Sequence, residues 1–202
     1  MSLRLIEVSS KKDLKKFIAF PYELYKNNKY FIPPLRFDEM KTLDKKVNPA
    51  FDFCESKYWL VYKDDRIVGR VAGIINTKFN EKFNKKEARF GWIDFEDDES
   101  ISSLLLNTVE KWAIEKGMKS IHGPLGFTDM DGEGMLIEGY EEVSTLGSIY
   151  NYPYYRTHIE KFGYQKDIDW IEFRVRILKD TPEKIARIAE IALQRNKLHV
   201  PV

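Results

Sequence analysis

The sequence predicts an α/β fold of the α+β type, with a mixed, mostly antiparallel sheet flanked by helices. Two hydrophobic patterns lead to this prediction. The segments Tyr58–Tyr62 and Ile67–Ile75 resemble strands and are separated by a short acidic turn, which is typical of an antiparallel hairpin. The segments Arg89–Phe95, Glu99–Lys116 and Ser120–His122 then predict a strand, a helix and a strand, with one parallel crossover in the middle of the sheet. A chain of 202 residues is long enough to bury a substantial core.

The N-terminal part predicts a strand followed by a long helix. Residues Leu3–Val8 alternate between apolar and polar side chains, as in a half-buried strand. Ser10 can cap a helix that continues to about Asn28, because its hydroxyl can accept a hydrogen bond from the first turn. Pro21 lies inside this helix and lacks an N–H group, so we expect a kink or a restart there.

The segment Tyr30–Phe53 has little periodicity and contains three of the eight prolines, which predicts a long loop. Long loops inside compact domains often contribute to function. Arg36, Asp38 and Glu39 are the polar side chains that could line a pocket in this case. The alternative is a surface segment that is held in place by its phenylalanines.

The remaining segments before the C-terminus alternate between loops and short elements. Lys78–Glu87 is polar and predicts an exposed loop. Gly123–Gly147 holds six of the eleven glycines and predicts mostly loop. Pro153–Phe162 predicts a short helix that ends at a glycine, and Ile168–Ile177 alternates as a final strand.

The C-terminus predicts a further amphipathic helix. Thr181 and Pro182 are residue types typical of a helix start, and isoleucines and alanines recur on one face. We therefore divide the chain into a domain of residues 1–178 and a C-terminal helix within residues 179–202. This apolar face needs a partner, which this domain, a second domain or a second copy of the chain would provide.

The composition excludes several classes of partner. The 33 basic and 32 acidic residues give a net charge of +1, without the basic excess that is typical of nucleic-acid-binding domains. No apolar segment approaches the ~20 residues needed to cross a bilayer, and the N-terminus has no signal-peptide pattern. We therefore expect a cytoplasmic protein with no membrane partner. The single cysteine, Cys54, cannot form an internal disulfide.

One segment carries a resemblance to a known superfamily. The residues from Tyr154 to Tyr164 resemble the late helix of the GNAT acyl-CoA N-acyltransferases, which ends in a Glu-Lys-x-Gly-aromatic turn before a strand. Other segments are similar to one uncharacterised bacterial branch of that superfamily. In that branch the chain commonly continues into a second similar half, so the resemblance implies that this chain is the N-terminal half of a longer protein. Those segments are Phe20–Tyr25, Pro33–Leu35, Gly123–Phe127 and Tyr150–Tyr152.

The resemblance implies that acetyl-CoA or another acyl-CoA donates an acyl group to a small-molecule amine. Proteins of this fold bind the pyrophosphate of the cofactor at a glycine-rich turn before the long helix, where backbone N–H groups point at the anion. The matching turn here has no glycine and carries four successive carboxylates, which would repel a phosphate. If these acids point outward, the N–H groups available to the cofactor belong to Ser100, Ile101, Ser102 and Ser103. The four acids are Glu96, Asp97, Asp98 and Glu99.

Acyl transfer also requires a base for the amine and an acid for the leaving thiolate. The resemblance places the base at Asp94 or Glu96, and the alternative is that both are solvated acids at the end of a strand. The acid is often a tyrosine of the late helix, but Ile159 stands at the aligned position. We therefore assign this role to Tyr155, about one turn earlier. The alternative for Tyr155 is packing with a hydrogen-bonded hydroxyl.

Two functions remain open at this point. The first is N-acyl transfer from an acyl-CoA to an amine. The second is a non-catalytic domain of GNAT fold that binds a small ligand, or that has no small-molecule ligand and pairs with a second domain. We predict no metal site, because the acids after Thr128 do not match a calcium loop and the three histidines lack zinc-ligand spacing.

Overall fold

A computed structural model describes residues 2–145, 147–175 and 182–196 of the chain. The chain divides into two compact units, residues 1–166 and residues 167–202. The first unit contains the whole sheet, and the second contains the C-terminal helix. The boundary between residues 178 and 179 stays a prediction.

The described residues contain one sheet of five strands, which lie side by side in chain order. The first four strands are antiparallel neighbours, and the fifth pairs with the fourth in parallel. The predicted mixed, mostly antiparallel sheet is therefore confirmed, but the parallel crossover lies at the edge of the described sheet and not in its middle. The strands are β1 (Leu3–Glu7), β2 (Cys54–Lys63), β3 (Arg66–Asn76), β4 (Glu87–Phe95) and β5 (Ser120–His122).

The described part of the chain forms six α-helices, and two of them correct predicted loops. A helix and a 3₁₀ turn at Pro49–Asp52 lie within residues 30–53, and another helix, Thr77–Phe83, covers the first part of residues 78–87. The first of these helices buries only Leu43 and the second buries no residue, so neither has an apolar stripe that a periodicity search can detect. The helices are α1 (Lys11–Leu24), α2 (Arg36–Leu43), α3 (Thr77–Phe83), α4 (Glu99–Glu115), α5 (Tyr154–Phe162) and α6 (Glu183–Asn196).

Helix α1 continues through Pro21 without the expected restart. Proline has no N–H group with which to bond the carbonyl four residues earlier, which belongs to Phe17. The Nη1 group of Arg70, on β3, donates to that carbonyl oxygen at 2.9 Å instead. The free carbonyl of α1 is thus satisfied by an arginine from the centre of the sheet.

Successive residues of β2 pack on opposite faces of the sheet, as the two-residue period of a strand requires. Trp59 and Val61 belong to a core cluster with α4 and α5. Tyr58 and Leu60 belong to a second cluster with α1. The sheet therefore separates two apolar layers, and any group that reaches from one layer to the other must cross it.

Strand β4 contains a bulge. Gly91 pairs with Ala72 and Asp94 pairs with Arg70, so two residues of β4 face a single residue of β3. One of these two residues is Trp92, which has a φ of +43°. Bulges redirect side chains, and a tryptophan with positive φ is a strained residue that requires support from its surroundings.

Strand β5 pairs with only the first residues of β4, from Glu87 to Arg89. Beyond them, the loop that follows β5 lies against β4, and Leu125 N–H donates to the Phe90 carbonyl at 2.8 Å. A Cβ atom added at Gly91 would lie 2.3 Å from the Leu125 carbonyl oxygen. This close approach of two backbones requires glycine.

The predicted final strand, Ile168–Ile177, is wrong for residues 168–175, which form no strand. Trp170 and Phe173 are 72% and 81% exposed, so an alternating pattern is present without a neighbouring strand to pair with it. Residues 176 and 177, and the predicted cap Thr181, lie outside the described residues. The helix expected after them is confirmed as α6. Among the described residues, no helix combines the length and the apolar character of a membrane span.

Candidate functional site

The predicted base, Asp94, lies in a buried ion pair. Its Oδ2 atom accepts a hydrogen bond from Arg70 Nε at 2.7 Å, and the two residues face each other across β3 and β4. Asp94 is 8% exposed and Arg70 is 5% exposed. A buried charge costs several kcal/mol unless a partner neutralises it, so each of these side chains requires the other.

Two buried tyrosines complete this cluster. Tyr25 Oη lies 2.9 Å and Tyr155 Oη lies 3.2 Å from Asp94 Oδ1, and the two hydroxyl oxygens are 2.8 Å apart. Two phenolic protons serve these three contacts, so one contact lacks a proton at any moment. Burial raises the pKa of both hydroxyls well above the usual value and keeps them protonated. We call Tyr25, Arg70, Asp94 and Tyr155 the Asp94 cluster.

Helix α5 covers the edge of β4 beside this cluster. The Phe95 N–H group donates to Tyr155 Oη at 3.1 Å, and the Tyr154 hydroxyl donates to the Phe95 carbonyl at 2.6 Å. The ring of Tyr155 also stacks on that of Phe95, with 4.3 Å between centroids. Both backbone groups of Phe95 are therefore bonded to tyrosines of α5.

The acidic turn before α4 pairs each of its four carboxylates with a basic side chain. Two of these bases come from the turn between β2 and β3, and the other two come from α5. Most of the side chains involved are partly or largely exposed, so the turn is a surface network. The pairs are Glu96 with Arg66, Asp97 with His158, Asp98 with Lys63 and Glu99 with Lys161.

Asp98 also caps α4. Its Oδ1 atom accepts a hydrogen bond from Ser100 N at 2.9 Å, and hydrogen bonds from Ser100 lower the pKa of Asp98. Its backbone carbonyl accepts from Ile101 N at 3.0 Å and from Ser102 N at 3.3 Å. Three of the four N–H groups predicted to bind a cofactor are thus bonded within the helix start, and Ser103 follows one residue later. We call residues 96–103 the α4 start.

His158 connects α5 to the α4 start. Its Nδ1 atom lies 2.8 Å from Ser102 Oγ, and its Nε2 atom lies 2.9 Å from Asp97 Oδ1. A serine, a histidine and an aspartate are therefore in line, as in a hydrolase triad. Ser102 is only 2% exposed, so its hydroxyl is not placed to attack a substrate. This arrangement holds α5 against α4.

On the opposite face of the sheet, the β4 bulge directs Trp92 toward Glu39 of α2. Trp92 Nε1–H donates to Glu39 Oε2 at 2.9 Å, and its ring packs on the buried Phe127 at 5.5 Å. Burial raises the pKa of Glu39, and the charge of Arg70 acts in the other direction. Among the described residues, no group donates a hydrogen bond to Glu39 Oε1.

Comparison with known proteins begins from curated sequences, since no family model matches the chain. Protein YghO of Escherichia coli is 36% identical over 160 residues, which are 79% of this chain and 41% of that protein. The bacterial ceramide synthase of Caulobacter vibrioides is 28% identical over 182 residues, 90% of this chain and 47% of that protein. The chain spans less than half the length of these relatives.

Comparison with solved structures identifies the fold. A predicted acetyltransferase from Clostridium acetobutylicum, solved with acetyl-CoA, matches with a TM-score of 0.52 and 13% sequence identity over 86% of this chain and 96% of that one. The chain has the GNAT acetyltransferase fold. At this level of identity the likeness concerns the fold and not the activity.

Within this GNAT fold, the predicted site residues fall into two places. Asp94 and Tyr155 meet in the buried Asp94 cluster. Glu96 lies instead in the surface network, in the same α4 start as the four predicted cofactor residues. The roles of base, acid and cofactor ligand stay predictions for all of them.

Two members of the Asp94 cluster were missed in the sequence. Arg70 did carry a signal, because a charge inside the apolar strand β3 requires an opposite charge on a neighbouring strand. Tyr25 carried no local signal, since it lies 69 residues from Asp94 in the chain. Glu39 was among the candidates for a pocket, but its link to Trp92 depends on a bulge that the sequence does not reveal.

Neither a metal site nor a reactive thiol is found among the described residues. No group of three or more histidine, cysteine, aspartate or glutamate side chains that could hold a metal occurs in residues 2–145, 147–175 and 182–196. Cys54 is buried, and burial raises the pKa of its thiol to about 11. The thiol therefore stays protonated at neutral pH and is a poor nucleophile.

Proposed function

We propose that this chain is a GNAT-fold domain that serves N-acyl transfer without binding the acyl-CoA donor itself. In that reaction a carbon–sulfur bond of the thioester breaks and a carbon–nitrogen bond forms. The proton that the amine loses is balanced by the proton that the CoA thiolate gains. The domain would contribute to this reaction by its fold and by binding the amine that accepts the acyl group. The acyl-CoA donor would bind to another domain or protein.

Two similarities support N-acyl transfer as the reaction. The fold is shared with acetyltransferases, one of which was solved with acetyl-CoA. One curated relative is a ceramide synthase, and a ceramide is the amide of a long-chain amino alcohol. A long-chain amine is therefore the acceptor class that this relative suggests.

The closure of the α4 start is the observation that carries the non-donor role. The N–H groups of Ser100, Ile101 and Ser102 are bonded to Asp98, so they are not available to a pyrophosphate. A pyrophosphate at this place would also have to compete with four carboxylates for the basic side chains that already pair with them. The site therefore favours its own side chains over a dianionic ligand.

The Asp94 cluster supports the same conclusion. A general base needs a lone pair that can reach the proton of the substrate. The oxygens of Asp94 already accept from Arg70 and from the tyrosine hydroxyls. The Phe95 N–H group, which could otherwise stabilise the oxyanion of an acyl group, donates to Tyr155. We therefore assign the cluster a structural role.

A calorimetric titration with CoA tests the proposal. We expect no saturable heat up to millimolar CoA at low ionic strength, where binding of an anion would be strongest. A parallel assay would follow thiol release from an acyl-CoA in the presence of a long-chain amine, with and without the protein. Saturable CoA binding, or formation of the amide by this chain, would overturn the proposal and favour catalysis at Asp94 and Tyr155.

A further inference from the structure

The β4 bulge and α2 form a second polar site that is separate from the Asp94 cluster. It consists of the Glu39 carboxylate and the Trp92 indole, joined by the hydrogen bond from Nε1–H to Oε2. The bulge places Trp92 at a φ of +43°, a conformation that costs energy for a tryptophan. The strained backbone at Trp92 thus places its indole N–H group against the Glu39 carboxylate.

Asp94 and Glu39 differ in how many of their carboxylate oxygens remain free to accept a hydrogen bond from a ligand. Both oxygens of Asp94 accept hydrogen bonds within the buried cluster. In Glu39 only Oε2 has a donor, and in the described part of the chain no group donates to Oε1. Glu39 is also only partly buried, whereas Asp94 is 8% exposed.

The surroundings of Glu39 favour a cationic ligand. Burial is the largest effect and raises the pKa of Glu39, Arg70 lowers it, and Asp94 and Asp131 raise it by smaller amounts. Arg70 donates to Asp94 and to the Phe17 carbonyl rather than to Glu39, so the open oxygen can accept a hydrogen bond from a ligand. A carboxylate oxygen is a strong acceptor of the charge-assisted hydrogen bonds that an ammonium group donates.

We propose that Glu39 and Trp92 bind the ammonium group of a primary amine, with Glu39 Oε1 as the acceptor of its hydrogen bonds. This inference rests on the proposed function, because it assigns to this domain the acceptor of N-acyl transfer. The ligand class is an alkylammonium ion. The Trp92 hydrogen bond fixes the carboxylate, so that the ion meets a preoriented oxygen.

The test uses n-hexylamine as the cationic probe and n-hexanol as a neutral probe of the same length. The Trp92 indole N–H resonance in a heteronuclear NMR spectrum reports directly on the hydrogen bond to Glu39, and a Trp92→Phe variant assigns it among the four tryptophans. We expect hexylamine to shift this resonance saturably and hexanol to leave it in place. Equal effects of the two probes, or no shift with hexylamine, would overturn the inference.

A matched pair of variants separates the site from general surface charge. Glu39→Gln keeps an oxygen for Trp92 but removes the charge, and we expect it to weaken hexylamine binding at least tenfold. Asp38→Asn removes one charge from the neighbouring residue of α2 and should leave binding within twofold. Thermal unfolding of both variants checks that the fold is intact. Equal losses in the two variants, or unchanged binding in Glu39→Gln, would contradict the assignment.

The pH dependence adds a further check. Binding requires ionised Glu39, whose pKa is raised by burial and by Asp94 and Asp131 against the opposing effect of Arg70. As the pH falls, hexylamine binding should therefore be lost at a pH higher than the usual glutamate pKa of about 4.3. Failure of amine binding would leave the proposed closure to CoA untouched. Binding of CoA would overturn that closure and leave the amine site standing.

Discussion

The Asp94 cluster and the α4 start both neutralise carboxylates, but they do so in opposite environments. In the cluster, Asp94 and Arg70 are almost completely buried. At the α4 start, Glu99 and Lys161 keep 60% and 62% of their side-chain surface exposed. A buried pair has no solvent to replace a lost partner, whereas water and salt screen an exposed pair.

This difference separates the structural role of the Asp94 cluster from the exclusion of anions at the α4 start. The cluster fixes the position of α5 on β4, because Tyr155 connects Asp94 to the Phe95 backbone. The α4 start excludes anions because its N–H groups and its basic side chains are already bonded to its own acids, while each exposed ion pair there contributes little to folding. Stability should therefore depend on the first region and anion exclusion on the second. The following predictions test this comparison in order of expected size.

Arg70→Ala should have the largest effect. It leaves Asp94 buried without its cation and the Phe17 carbonyl without its donor. Breaking a buried ion pair by removing one partner costs about 3–5 kcal/mol. Chemical denaturation measures this loss. The double variant Arg70→Met/Asp94→Leu removes both charges and should recover much of it, so a double variant as unstable as Arg70→Ala would contradict a buried charge as the cause.

Tyr155→Phe should have a smaller but clear effect. It removes the hydroxyl that accepts from Phe95 N–H and contacts Tyr25 and Asp94. An unsatisfied buried donor costs about 1–3 kcal/mol, and the same denaturation experiment measures it. Tyr164→Phe is the matched control, because the hydroxyl of Tyr164 is also buried but meets only the Glu110 carboxylate, without a hydrogen bond of normal geometry. A larger loss in Tyr164→Phe would exclude the cluster as the stronger structural element.

Asp98→Ala should cost about 1 kcal/mol, the usual value of a helix N-cap. The folded-state pKa of Asp98 is lowered by its hydrogen bonds with Ser100. Its contribution is therefore complete above the unfolded aspartate pKa of about 3.9, and it disappears as the pH falls through the lower folded value. Unfolding curves of the variant and the parent should differ at pH 7 and converge in strong acid. A difference that grows toward acid would have the wrong sign.

Arg66→Ala should have the smallest effect. Arg66 pairs with Glu96 at the surface, and exposed ion pairs contribute about 0–1 kcal/mol. Denaturation at low and at high salt should show a small loss that salt removes. A loss as large as that of Arg70→Ala would mean that burial does not distinguish the two regions.

The sequence predicted the mixed, mostly antiparallel sheet but not the Asp94 cluster, and the reason is distance along the chain. Local patterns fixed β4, α4 and β5 within two residues, because alternation and helical periodicity are properties of neighbouring residues. Helices α2 and α3 were not predicted, because they bury almost no side chains and so show no apolar stripe in the sequence. Tyr25 and Tyr155 are 130 residues apart and meet only through tertiary packing.

The strand predicted at Ile168–Ile177 shows the opposite error. Its alternation is clear, yet residues 168–175 form no strand, because a strand also requires a neighbour to hydrogen-bond. The role of the carboxylates at Glu96–Glu99 was predictable in part. The run of acids was visible in the sequence, but their pairing with basic side chains, the capping by Asp98 and the bridge through His158 required the structure.

The backbone amide resonances of Phe95, Ser100, Ile101 and Ser102 report on both closed regions at once. During a titration with CoA at low ionic strength, the account predicts that these four resonances stay in place up to millimolar ligand. Saturable shifts at these positions, with a dissociation constant below 1 mM (on the order of −4 kcal/mol of binding free energy), would contradict it.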